Sequence, residues 1–193
     1  TCIAPRRVYV ARSLATELDG RLAEEFAKLE PIWIRHRESE RALPLIRAAL
    51  AGGGHVIAGG PAPDGSFGAP LVLGGVDDRA ELLREDLFLP ILSLHTVASD
   101  EESIAKGNRN PYALGAAVFG GDRASAEEMA GRINAGVVVV NDMIVPSADP
   151  RVPFGGRGRS GFGLTRGPEG LLEMTVAKVV ASRRGGSLAH LEP

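Results

Sequence analysis

Hydrophobic positions along the chain switch between two spacings, and the switch predicts strands alternating with helices. Arg6-Arg7-Val8-Tyr9-Val10 is short, β-prone and partly alternating. The stretch after it sets Leu14, Leu18, Leu22, Phe26 and Leu29 at intervals of three and four, the period of one helix face. Pro31 ends or kinks that helix. A second helical stripe of Leu43, Ile46 and Leu50 begins near Glu40 and stops at Gly52-Gly53-Gly54. His55–Ala58 and Ala69–Leu73 are strand candidates separated by turn material over 59–68. In the next apolar run, Leu87–Leu94, Pro90 has no ladder N–H and belongs at the strand's beginning or outside it.

Ser99 stands three residues before Glu102, the reciprocal arrangement that satisfies free N–H groups at a helix start, and predicts a helix to about Asn108. Gly115–Phe119 is a further strand, and Asp122 caps a helix carrying Ala126, Met129, Ala130 and Ile133 that closes near Gly136. Val137-Val138-Val139-Val140 shows no polar alternation. It is expected to be covered on both faces, as at the centre of a parallel or mixed sheet. Strand, helix and strand in repeated order predict a layered α/β fold. Thr175–Ala181 is a last β-prone run, and 183–193 has little to anchor it and is expected to fray.

With 193 residues and 44% hydrophobic composition, the chain supports one sizeable core. A net charge of -2 and a pI near 6.1 give no electrostatic reason for a nucleic-acid partner. The basic clusters at 35–37, at Arg157 with Arg159, and at Arg183 with Arg184 are read as solvated loops and element ends. One cysteine excludes an internal disulfide, no apolar run approaches membrane-spanning length, and no secretory leader opens the chain, so a cytoplasmic protein without a membrane partner is expected. The chain opens on Thr1-Cys2 without Met, which is read as an upstream stretch removed or a chain given in part.

Among candidate chemistry, Cys2 is the only thiol, and a lone cysteine is more often a small buried hydrophobe than a nucleophile. His36, His55, His95 and His190 lie far apart, which argues against a Cys/His metal site; a base for the thiol could come only through folding. The string from Pro153 to Gly163, with its five glycines, two aromatics and two arginines, is either a turn-rich loop or a backbone meant to approach a ligand. It matches neither a dinucleotide fingerprint nor a phosphate loop. Asn141-Asp142 is equally a ligand contact at a strand's carboxyl end or a polar turn. Phe88 alone reads as core.

Taken together, these strings resemble the aldehyde dehydrogenase superfamily, and the likeness spans nearly the whole chain. The segment Thr1 to Val10 is similar to the family's catalytic-cysteine segment, and Glu85-Asp86-Leu87-Phe88-Leu89-Pro90 to its cofactor-contacting Glu-Glu-Ile-Phe-Gly-Pro. Tyr112 to Phe119, the Gly136 to Asn141 region, and the Pro153 to Gly163 loop followed by Gly170-Leu171, Thr175 and Lys178 complete the series in the family's order.

The resemblance implies an aldehyde dehydrogenase-like catalytic domain, a parallel or mixed sheet flanked by helices, over residues 1–174. It also implies an oligomerisation strand over 175–182 that joins identical subunits, and leaves 183–193 as a tail. It assigns Cys2 as nucleophile, Asp86 as the carboxylate holding the nicotinamide ribose, Phe88 as the ring beside the nicotinamide and Phe154 as an aromatic near the substrate pocket. A complete parent enzyme would oxidise an aldehyde to a carboxylic acid with NAD or NADP through a cysteine thiohemiacetal and thioester. Transfer of the acyl group to coenzyme A, or a non-catalytic assembly domain, are the alternatives. The family's oxyanion asparagine, general-base glutamate and dinucleotide-binding domain all belong upstream of the cysteine, so the 193-residue chain alone is expected to be inactive and to bind NAD weakly or not at all. Three departures mark a divergent branch: Asp86 is one methylene shorter than the family Glu, Leu89 replaces a Gly, and Glu30 to Arg37 stands where a Gly-Pro stretch is usual.

Overall fold

The computed structural model describes residues 2–29, 36–60, 70–143 and 148–182. Strand β1 (Arg7–Ala11) leads directly into helix α1 (Arg12–Phe26). The Leu14 to Phe26 stripe lies half-buried or exposed, and no residue of α1 is fully buried. Helix α2 (His36–Ala51) starts earlier than its leucine stripe predicts and buries Ala42, Ile46 and Ala49 rather than Leu43. Two alanines flanking one isoleucine let the helix axis approach its neighbours closely, and Pro44 stays on the exposed side.

Strands β2 (His55–Ala58), β3 (Leu71–Gly74) and β4 (Ile91–Val97) join β1 in a four-stranded mixed sheet of order β1-β4-β3-β2. β1 and β3 run parallel to β4, whereas β2 pairs antiparallel with β3 and carries a register irregularity between Val56 and Ala58. β3 is central, and Leu71, Val72 and Leu73 are wholly buried, so the continuous apolar run is the mark of a strand covered on both faces. Its core cluster takes in Ile46 and Ala49 of α2, Val76, Leu82 and Leu83 of a short 3-10 turn (Glu81–Leu83), and Leu87, Leu89 and Ile91. Pro90 falls just ahead of β4, and its carbonyl accepts from Leu71 N at 2.8 Å.

Helix α3 (Asp100–Asn108) begins as the capping signal predicts: Ser99 accepts from Glu102 N at 3.2 Å, while Glu102 reaches back to Ala98 N at 2.7 Å. After β5 (Tyr112–Ala113) and β6 (Gly115–Val118), α4 (Arg123–Gly131) is capped by Asp122, which accepts from Ser125 N at 2.9 Å. β7 (Val137–Val140) pairs parallel with β6, as expected of an unalternating valine run. Its burial differs from the expectation, for every valine is half-buried. Among the described residues β7 has one strand neighbour and packs on α4, which leaves part of its surface uncovered.

Strand β8 (Arg157–Gly158), antiparallel to β5, and helix α5 (Gly167–Leu172) complete the order. Residues 175–182 run exposed and pair with no strand of this chain among the described residues. The tail 183–193, the Pro31 helix stop and most of the 59–68 turn lie outside the described residues.

Candidate active site

β1 and β4 are adjacent parallel strands with Arg7 opposite Ser93, so the segments that precede them emerge at the same end of the sheet. One holds Cys2 and the other holds Asp86 and Phe88. Cys2 sits in a turn, exposed and free, contrary to the buried reading that a lone cysteine invites.

Phe88 is 68% exposed while Leu87 and Leu89 on either side are buried in the core cluster. Leu89 N donates to Leu87 O at 2.8 Å, and Ile91 N to Leu89 O at 2.8 Å, so Phe88 stands at the tip of a tight turn whose two flanks are pinned inside. Burying both leucines stabilises the turn and forces the ring outward. The core reading of Phe88 is therefore corrected, and Leu89 fills the core rather than the space beside the ring.

Arg6 joins the two segments, and sequence reasoning missed it. Its carbonyl accepts from Ser93 N at 3.0 Å and from Ser93 Oγ at 3.2 Å. Its guanidinium donates to Glu85 O at 3.1 Å and stands 3.5 Å from Asp86 Oδ1. Partial burial lowers the Arg6 pKa, with the Asp86 carboxylate and then Tyr112 pulling the other way. In the sequence Arg6 is marked only by standing beside Arg7 ahead of an apolar run.

Ser93 is itself backed by His95, whose Nε2 lies 2.9 Å from Ser93 Oγ and whose Nδ1 lies 3.6 Å from Asp78 Oδ1. Lys106 Nζ reaches Asp78 at 3.2 Å and Glu102 at 3.0 Å, and the Tyr9 ring packs on the imidazole at 5.5 Å. Serine, histidine and aspartate in this order have the look of a hydrolytic relay, but both Ser93 and His95 are buried, and the hydroxyl serves the Arg6 carbonyl. His95 therefore anchors the segment after Cys2, and its nitrogens are engaged away from the thiol.

Burial lowers the His95 pKa from its ordinary 6.5, with Asp78 opposing. Below about pH 6.5 the unfolded chain takes up a proton that the fold resists. Stability is then full above that value and declines as pH falls through the lower folded-state pKa. Thermal unfolding between about pH 7.5 and 5.5 should show this loss, and His95→Gln should flatten it; an equally steep loss in the variant would contradict the assignment.

The glycine-rich string forms a clasped loop rather than an irregular one. Phe154 and Thr165 exchange backbone hydrogen bonds of 2.8 Å in both directions. Arg159 N donates to Pro111 O at 2.8 Å, and Ala113 N donates to Ser160 Oγ at 3.0 Å, fastening the loop to β5. Gly158 takes φ +59 beside the Pro111 carbonyl, a conformation in which any Cβ would be strained. Arg159 covers the Tyr112 ring at 5.2 Å and Arg166 covers Phe154 at 4.9 Å. Leu114, Phe154, Gly156, Phe162 and Thr165 line an open depression of about 390 Å³.

Asn141 follows the carboxyl end of β7. Its side-chain amide accepts from Gly120 N at 2.9 Å and donates to Gly120 O at 3.0 Å, bracketing one residue while its own φ is 54. The polar-turn reading describes it. Among the described residues no group of His, Cys, Asp and Glu side chains could hold a metal ion, and no helix is long and apolar enough to cross a membrane.

The model of the aldehyde dehydrogenase family matches residues 1–180. The chain is 34% identical over 192 residues to the succinate-semialdehyde dehydrogenase (NADP+) of Deinococcus radiodurans, covering 93% of this chain and 40% of that protein. It is 35% identical over 193 residues to a probable succinate-semialdehyde dehydrogenase (NADP+) of Synechocystis, covering 93% and 42%. Betaine aldehyde dehydrogenase from Staphylococcus aureus superposes with a TM-score of 0.87 at 25% identity over 100% of this chain and 42% of that one. A mutant of aldehyde dehydrogenase C from Pseudomonas syringae, complexed with NAD+ and octanal, gives 0.77 at 31% identity over 88% and 38%. The chain thus spans about 40% of the length of the curated relatives it matches.

Proposed function

The chain belongs to the aldehyde dehydrogenase family, and on that premise we propose that it is the C-terminal catalytic part of an enzyme that oxidises an aldehyde to a carboxylic acid with NAD(P). The observation that carries this reading is the emergence of an exposed Cys2 segment and an out-thrust Phe88 at the same end of adjacent strands, tied together through Arg6 and Asp86.

In this reading the Cys2 thiolate adds to the carbonyl carbon, forming a C–S bond as the carbonyl electrons move to oxygen. Loss of hydride from that carbon leaves a thioester on Cys2. Water then attacks the thioester carbonyl, the C–S bond breaks, and the thiolate is released with the acid as a proton passes to solvent. A nicotinamide bound in the complete protein supplies the hydride acceptor. Asp86, half-exposed beside Arg6, would take ribose hydroxyls, and the exposed face of Phe88 would take a ring. These groups fit such a ligand: a half-exposed carboxylate and a largely exposed apolar ring stand two residues apart. Phe154, held by its bridge to Thr165, would form one wall of the substrate pocket.

Residues 175–182 are proposed as the strand that joins subunits. Val176, Val179 and Val180 are 93%, 91% and 80% exposed, an apolar cost that pairing with a second copy would remove. A cytoplasmic location belongs to the same proposal and accords with a free, exposed thiol.

The names of the similar proteins supply the first substrate to try. Succinate semialdehyde with NADP+ should be turned over by the complete protein with kcat/KM at least about tenfold above that for octanal, the gain that one added charge-assisted contact to a carboxylate provides. Equal efficiency with both aldehydes would exclude a semialdehyde preference, and failure with every aldehyde under either cofactor would refute the enzyme reading.

A further inference from the structure

We propose that Arg6 is a positioning residue for the cofactor: it sets the Asp86 carboxylate in place and couples that contact to the cysteine segment. The inference rests on the reading of Asp86 as the carboxylate that holds the nicotinamide ribose. It deepens that reading with a residue the family likeness does not supply.

Arg6 is held at both ends. Its carbonyl takes two hydrogen bonds from Ser93, at 3.0 and 3.2 Å, and Ser93 is braced by buried His95 at 2.9 Å. At the other end one guanidinium nitrogen donates to Glu85 O at 3.1 Å, which fixes the planar group relative to the backbone that bears Asp86. The second nitrogen faces Asp86 Oδ1 at 3.5 Å. The pair keeps about a third of the Arg6 side chain and half of the Asp86 side chain in contact with solvent, so a ligand can reach the carboxylate.

That geometry answers a difficulty in the sequence. Aspartate is one methylene shorter than the family's glutamate and has less reach with which to find a diol. A carboxylate already oriented by a guanidinium that the Glu85 carbonyl holds in place loses less freedom when a ribose binds, and preorganisation of this kind raises affinity without a new ligand contact. Glu85 points its own carboxylate at Arg41, 3.7 Å away, so it does not compete for Arg6 through its side chain. A half-exposed ion pair adds little to stability. Its role is therefore visible in cofactor binding rather than in unfolding.

Calorimetric titration of the complete protein with NADP+ and NAD+, beside steady-state kinetics and thermal unfolding, tests this. Arg6→Ala should raise both Kd and KM for the cofactor by up to about tenfold, the cost of ordering one side chain that is no longer held in place. The midpoint of unfolding should barely move, and kcat should fall much less than KM rises. Arg6→Lys, which keeps the charge but not the planar fork, should restore part of the affinity. In an Asp86→Asn background Arg6→Ala should add nothing. Unchanged cofactor affinity in Arg6→Ala, with affinity lost in Asp86→Asn, would overturn the role of Arg6 and leave that of Asp86 standing. Unchanged affinity in both would remove the Asp86 assignment as well. Additive losses accompanied by a lowered unfolding midpoint would show a structural residue only and would also overturn the proposal.

Discussion

Replacing Cys2 by alanine is expected to lower aldehyde oxidation by the complete protein by at least about a thousandfold, because a covalent route without its attacking atom has no nearby substitute. The structure makes this a clean experiment. Cys2 is exposed and lies in a turn ahead of β1, so removing its sulfur leaves no cavity and takes away no core contact. The unfolding midpoint and the cofactor affinity should stay within error of the unmodified protein. A large loss of rate with an intact fold would place the defect in chemistry. Retention of rate, measured as cofactor reduction under saturating aldehyde, would exclude Cys2 as nucleophile, whichever aldehyde is the true substrate.

Gly136→Ala is expected to destabilise the protein by about 3 kcal/mol, near the upper end of ordinary overpacking, and to depress catalysis with it. A Cβ at 136 would stand 1.7 Å from the Gly155 carbonyl oxygen and 3.1 Å from that of Leu114. Neither neighbour is the end of a flexible side chain, so backbone must move. Gly155 follows Phe154 directly and lies between its bridge to Thr165 and the clasp to β5; the displacement would carry into the proposed pocket wall. Gly121→Ala is the control. A Cβ there meets nothing within 4 Å, and its stability should change by no more than about 0.5 kcal/mol. Thermal or denaturant unfolding of the two variants, with kcat/KM for the aldehyde, separates the outcomes: similar behaviour of both would mean that the Gly136 to Gly155 approach does not constrain the loop.

Local signals were legible wherever a single residue type enforces a single geometry. Ser99 with Glu102 and Asp122 with Ser125 place the starts of α3 and α4 because free N–H groups at a helix end need those oxygens. Pro90 marked the boundary of β4 for a comparable reason. The α2 face was read less well. Leucines draw attention by size, but the positions buried beside Ile46 are Ala42 and Ala49, whose smallness is invisible to a hydrophobic stripe.

At the site, residue order alone led to Cys2, Asp86, Phe88 and Phe154 through family likeness. It carried no information about exposure: bottom-up, both Cys2 and Phe88 read as buried. Phe88 is out because Leu87 and Leu89 are in, a consequence of a tight turn that alternation over three residues only hints at. Arg6, Ser93 and His95 are separated by up to 89 positions in the chain yet form one connected set. Such a set depends on the parallel pairing of β1 with β4, and pairing partners are not written in either strand's own pattern. Leu89 shows the same limit from the other side: the sequence marks it only as a departure from the family's glycine, and its side chain is a core contact.

Aldehyde oxidation by the complete protein, as proposed, requires the covalent step at Cys2. The most direct measurement is the mass of the Cys2-bearing peptide from complete protein quenched during turnover with an aldehyde and NAD(P)+. An acyl adduct on that peptide, appearing and decaying at rates compatible with turnover, is the predicted result. Continued turnover with the Cys2 peptide never modified, or with the adduct on another residue, would contradict it.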